Sequence, residues 1–230
     1  MNIWEHNDLS NIHVEDFEDS KIYWMDDFYK HPDLVFEHIT REQPPLWKYD
    51  EDDEYLMVGT FNAKCFEDRR WIIPAPGLEL AHAALSKIFG QETDDQGNAV
   101  TNHIRFYADE KSKKINDYKN MWWYPHYDAG YNAIVYLNKG EDGTELGTSL
   151  YKELKPDPVS GFHEHMRLWI DKSYFERIKS FKSKYNRLVA FDGFKYKHGM
   201  AVEDDRWFYE TRVNQTMFFI SEEYRDQYED

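Results

Sequence analysis

A chain of 230 residues with 28 basic and 44 acidic side chains has the length of one domain with a sizeable core and a formal net charge of −16. That charge opposes a phosphate-tracking surface, so nucleic acid is disfavoured as a general partner, and a neutral or cationic substrate approaches more easily than a polyanion. Cys65 is the single cysteine, which leaves no intramolecular disulfide and no thiolate metal cluster.

Residues 1–20 are polar and acidic, without the basic and apolar regions of a signal peptide, and read as a loosely held N-terminal arm. No apolar run reaches the roughly 18 residues of a membrane span, so a soluble, cytoplasmic protein with no membrane partner is expected. Residues 22–25 look like a short strand. Over 32–42, Leu34, Val35, His38 and Ile39 recur at helical spacing, with Pro32 at the first helical position, Asp33 in the first turn and Pro44-Pro45 as the stop. Residues 46–76 are mixed, with an acidic stretch at 50–54. Residues 78–89 carry the clearest helical stripe, Leu78, Ala81, Leu85 and Ile88 among it, and Gly90 follows as a terminator.

From Asn102 onward strand patterns dominate: 103–108, 121–126, 131–138, 148–153, 187–191, 194–198 and 206–221. One interruption, 162–183, has the charge pattern of a helical insert. The expected organisation is a single domain over 1–230, with the arm at 1–20, a helical lead-in at 21–100, and a strand-rich core at 101–221 carrying an insertion at 156–183. This order of elements predicts an α+β fold. The strand section is long enough for a cupin-like jelly roll, the double-stranded β-helix, with the N-terminal helices packed on one sheet and the mouth open to a small ligand.

The stretch WWYPHYDAGYNAIVYLNK, residues 122–139, stands at the centre of that section. His-x-Asp occurs three times in a chain with ten histidines, at His6/Asp8, His31/Asp33 and His126/Asp128. Only the last is flanked on both sides by strand-like sequence. Residues two apart on an extended backbone project from one side, so His126 and Asp128 can converge as two ligands of a 2-His-1-carboxylate site. A hydrogen-bonded His–Asp pair at a strand end is the plainer alternative. For a third ligand the candidate is His198 in FDGFKYKHG, where Phe194, Tyr196 and His198 share a face while Lys195 and Lys197 point to water; the alternative is a histidine bonded to a carbonyl. His163-Glu164-His165 ranks below it, because residues two apart on a helical insert do not face each other.

In RWFYETRVNQTMFFI, Arg212 shares a face with Phe208, Glu210, Asn214, Thr216 and Phe218. An arginine between aromatic residues is expensive to bury unless it meets an anion, and its planar fork suits a carboxylate. An outward arginine paired with a surface glutamate is the alternative.

Taken in order, His126-x-Asp128, YLNK from Tyr136, Gly147-Thr148, NRLVAFDG, His198 and Arg212-x-x-x-Thr216 resemble the Fe(II)/2-oxoglutarate-dependent dioxygenases. The nearest likeness is to the branch of the prolyl hydroxylases and small phage or bacterial relatives, over about residues 103–220. The opening IYWMDDFYKHPDLV is similar to that branch's helical lead-in. The resemblance implies that His126, Asp128 and His198 bind Fe(II), and that Arg212 pairs with the distal carboxylate of the cosubstrate 2-oxoglutarate. Thr216 would lie further along the same face, Tyr136 along the cosubstrate, Tyr107 would donate to the same carboxylate, and Asn214 would assist.

The implied reaction consumes O2 and 2-oxoglutarate, hydroxylates a C–H bond and releases succinate and CO2. The substrate would be a small molecule or peptide, with Trp122, Trp123 and Trp207 available to line the mouth. Three features depart from the branch: Arg212 follows His198 by 14 residues, Glu210 stands where it can neutralise that arginine, and the 156–183 insertion is long. Two other readings stay open on the residues alone. One is a non-catalytic cupin-like binding module, the other a metal-dependent hydrolase or isomerase on the same fold.

Overall fold

The computed structural model describes residues 1–41, 71–93, 97–104, 120–139, 147–156, 169–204, 206, 210–222 and 224. In chain order the elements are β1 (His13–Phe17), β2 (Ser20–Met25), α1 (Pro32–Arg41), β3 (Trp71–Pro74), α2 (Glu79–Phe89), β4 (Asn98–Ile104), β5 (Met121–Trp123), β6 (Tyr131–Tyr136), β7 (Thr148–Glu153), β8 (Trp169–Asp171), β9 (Phe175–Ser180), β10 (Arg187–Asp192), β11 (Lys197–Met200) and β12 (Arg212–Phe218). The fold is mostly antiparallel β-structure, with two α-helices among the described residues.

One sheet has seven strands in the order β1-β2-β10-β6-β12-β4-β3; the others are β11-β7-β9 and β5-β8. Just beyond β5 the chain forms a two-residue antiparallel bridge, His126 to His198, which ties β5 to the start of β11.

Strand periodicity explains the layering. On β6 every residue is buried, so both of its faces are covered. Tyr131, Ala133 and Val135 join Leu188, Ala190, Val213 and Met217 in one core, together with Val35 and Ile39 of α1 and Ala81 and Leu85 of α2. Each Val, Ile or Leu side chain so removed from water contributes about 1.5–3 kcal/mol, which is what holds the helices against this face. The alternate residues, Ile134 and Tyr136, join Val189, Phe191 and Tyr196 in a second core with Leu150 of β7. That second core is shared by the seven-stranded and three-stranded sheets.

Helix α1 begins at Pro32 as its spacing predicts, and α2 ends at Gly90, a left-handed cap (φ 70°) whose N–H donates to the Ser86 carbonyl. Several expectations need correction. Residues 1–20 are no loose arm: β1 pairs with β2 along its whole length, and Trp4 is 2% exposed against Tyr29 and His38. The 21–100 lead-in contains β2, β3 and part of β4 as well as its helices.

In the 162–183 stretch the described part is β8, a short 3-10 turn and β9, not helix. Its charges belong to an edge strand, where Arg177 pairs with Glu203 and Lys179 with Glu15. Residues 157–168 lie outside the described residues. The expected strand 194–198 begins only at Lys197, because Asp192 accepts from the N–H groups of Phe194 and Lys195 and closes a turn. Lys197 does not reach water. It is 3% exposed, its ammonium lying 5.3 Å from the Phe175 ring centre and 3.8 Å from Glu153 Oε2.

Candidate metal centre

The His126–His198 bridge places the first two side chains. The His126 N–H donates to the His198 carbonyl at 3.0 Å, and the His198 N–H donates back at 2.9 Å. Directly opposed residues of an antiparallel pair project to the same side, and the two imidazole centres lie 4.5 Å apart.

Asp128 is placed by the turn that follows. Its N–H donates to the Gly193 carbonyl at 2.9 Å, and the Gly193 N–H donates to the Gly130 carbonyl at 2.8 Å. Gly130 admits no side chain, since a Cβ there would stand 2.2 Å from the Phe219 carbonyl oxygen and 2.8 Å from the Ser221 nitrogen. The ligating atoms of His126, Asp128 and His198 all fall within 4.8 Å of one another.

Both imidazoles are oriented in the same way. The carbonyls of Tyr124 and Tyr196 can only accept, so each fixes a proton on the neighbouring Nδ1, of His126 at 3.3 Å and His198 at 3.2 Å. That turns each Nε2 toward the centre, the usual outer-shell arrangement of a metal-binding histidine. His198 Nε2 lies 3.0 Å from Asp128 Oδ2. Burial pushes the Asp128 carboxyl up, but the hydrogen bond from His198 and the charges of His198 and His126 outweigh it and hold the group well below the usual carboxylate range. Two imidazoles and one ionised carboxylate, with no thiolate, are a donor set that suits Fe(II) with open positions.

A second polar group lies on β12. Arg212, Asn214 and Thr216 alternate with Val213, Gln215 and Met217, and the register sets Asn214 opposite Tyr136 and Thr216 opposite Ile134. They therefore face the space between the sheets. Arg212 is 4% exposed, its guanidinium 5.8 Å from the Tyr136 ring centre, and burial lowers its pKa to about 10.

The Asn214 amide, turned to satisfy both its atoms, accepts from Arg212 Nη1 at 3.0 Å and donates to the Asn102 carbonyl at 3.3 Å. Asn102 Nδ2 donates to Thr216 Oγ1 at 2.9 Å, and the Tyr136 hydroxyl donates to Thr148 Oγ1 at 3.0 Å. Glu210 does not neutralise Arg212; it is exposed and pairs with Arg206 at 2.8 Å. Among the described residues no carboxylate pairs with Arg212.

The other candidates fall away or out of view. Asp8 accepts from the Ser10 N–H and caps a 3-10 turn, and Asp33 pairs with Lys139 at 2.7 Å, so neither forms a centre with its histidine. Trp122 packs with Tyr151 and Phe175. Tyr107, Trp207 and His163-Glu164-His165 lie outside the described residues.

Asn132, which the sequence reading passed over, touches two of the three ligands: its Nδ2 donates to Asp128 Oδ2 and sits 2.9 Å from His198 Nε2. Its signal was an amide among apolar neighbours, on the inward phase of β6 and four residues after Asp128.

No protein-family model matches the chain, and no curated protein sequence matches it. No helix among the described residues is long and apolar enough to cross a membrane.

Proposed function

We propose that the chain is an Fe(II)- and 2-oxoglutarate-dependent oxygenase built on a double-stranded β-helix, hydroxylating a C–H bond of a small molecule or peptide. The observation that carries this is the pairing of two built features: three convergent ligands, and a buried arginine short of an anion on the face between the sheets.

The strand order supports the architecture. From β4 to β12 the chain passes repeatedly between the seven-stranded sheet (β4, β6, β10, β12) and the smaller sheets (β5, β7 to β9, β11), which is how a jelly roll winds.

In this reading His126, Asp128 and His198 would hold the ion with two imidazoles and one carboxylate. With 2-oxoglutarate and O2, Fe(II) would supply the oxidation of a substrate C–H bond, coupled to decarboxylation of the cosubstrate to succinate. Arg212 grips the distal carboxylate of 2-oxoglutarate as a planar two-pronged donor, oriented by Asn214, while Thr216 and the Tyr136 hydroxyl line the same face. The core around Ile134, Leu150, Phe181 and Phe191 keeps water from that end of the chamber.

Succinate release tests the proposal. Purified protein with Fe(II), 2-oxoglutarate and O2 should release succinate slowly even without a prime substrate, and Asp128→Ala should not. A protein that binds metal and 2-oxoglutarate but never turns over would instead be a binding module.

A further inference from the structure

We infer that Asn132 is a positioning residue of the metal centre, whose side-chain amide holds Asp128 to a single ligating oxygen and bridges it to His198; this rests on the metal-binding part of the function proposed above. Asn132 is 1% exposed on β6. His198 Nε2 and Asp128 Oδ2 lie 3.0 Å apart, and one further side chain reaches both. It is the Asn132 amide, whose Nδ2 donates to Asp128 Oδ2 and sits 2.9 Å from His198 Nε2.

Once a cation takes the His198 lone pair, the amide keeps its bond to the carboxylate. An oxygen already occupied by an N–H is a poorer ligand, so Asp128 binds through one oxygen and positions on the ion stay open for cosubstrate and O2. The amide itself is fixed in place. Gly193 packs against it so closely that a Cβ there would come within 3.0 Å of its Nδ2, and the Gly193 carbonyl also accepts from the Asp128 N–H. The Asn132 Oδ1 is buried with no hydrogen-bond partner among the described residues. A residue kept only to fill space on this face would be apolar, as Ile134 is; an amide with one atom left orphaned is retained for what its other atom does.

The test is anaerobic titration with Co(II), read by its visible d–d absorption, on the full chain and two variants. Asn132→Leu keeps the branched outline of the side chain, with bulkier ends, and loses the donor; Asn132→Ala opens a gap that a water can enter and donate from. Asn132→Leu should weaken Co(II) binding about 10- to 100-fold and dim the d–d bands, as a two-oxygen carboxylate raises the coordination number, with Asn132→Ala lying between it and the wild type. Should Asn132→Leu fail to fold, Asn132→Val, which also lacks the donor, carries the same expectation.

A space-filling role predicts the reverse order, with Asn132→Ala the weaker binder and the spectrum unchanged. That order, or unaltered affinity in both variants, overturns the inference while leaving the proposed function intact. A wild-type chain that does not bind Co(II) overturns both.

Discussion

Arg212 and Tyr136 are diagonal neighbours on β12 and β6, the guanidinium 5.8 Å from the ring centre on the face between the two sheets. A cation–π contact of this kind is worth about 2 kcal/mol when desolvated, less than the several kcal/mol required to bury an isolated charge. The pair is therefore a site short of an anion.

Arg212→Ala should raise the 2-oxoglutarate concentration needed for half-maximal succinate release by roughly 30-fold or more, the equivalent of 2–5 kcal/mol for losing one partner of a buried charge pair. Metal affinity should not change. Equal loss of metal and cosubstrate binding would contradict the division of roles between Arg212 and the triad.

Gly147→Ala addresses the same pocket from the facing sheet. A Cβ at Gly147 would meet the Phe181 carbonyl oxygen at 2.1 Å and the Tyr136 hydroxyl at 3.0 Å. The backbone oxygen cannot yield without moving β9, so a loss of about 1–3 kcal/mol in chemical denaturation is expected, with weaker 2-oxoglutarate binding as Tyr136 is displaced.

Acid should destabilise the chain well before carboxylates titrate. His82 on α2 is buried with neither ring nitrogen partnered among the described residues, and burial lowers its pKa to about 4; burial lowers His103 to about 4 as well. Both folded values lie below the unfolded value of roughly 6.5, so the unfolded chain binds the extra protons. Stability is then full above about pH 6.5 and is lost as pH falls toward 4, by up to about 3 kcal/mol for His82. Urea midpoints across that range should show the slope, and His82→Leu should flatten it.

Trp4→Ala should cost about 3–5 kcal/mol, as removal of a buried tryptophan does. Its ring sits 6.0 Å from that of Tyr29 and 5.7 Å from that of His38, in the core that α1 and α2 share, so Co(II) affinity should be unchanged. A variant of wild-type stability would return residues 1–12 to the loose arm that their composition suggests.

The sequence was most legible where burial and periodicity coincide. β7 and the start of β10 fall where alternation sets them, and Pro32 and Gly90 mark helix ends through their own backbone chemistry. The His126/Asp128 pair was visible because its flanking strands are apolar on both faces. What stayed hidden depends on partners remote in sequence. β1 is almost wholly exposed and polar, so only its pairing with β2 makes it a strand. The charged run of β9 resembles a solvated helix until β7 is placed beside it. Lys197 looks like a surface residue until Phe175 and Glu153 cover it. Asn132 shows no role until His198 arrives from β11.

The most direct measurement is the visible spectrum of the anaerobic protein with Fe(II) as 2-oxoglutarate is added. The expected result is a weak charge-transfer band that saturates with 2-oxoglutarate, is absent in Asp128→Ala, and requires more cosubstrate in Arg212→Ala. A wild-type chain that binds Fe(II) yet develops no band at saturating 2-oxoglutarate would contradict the assignment.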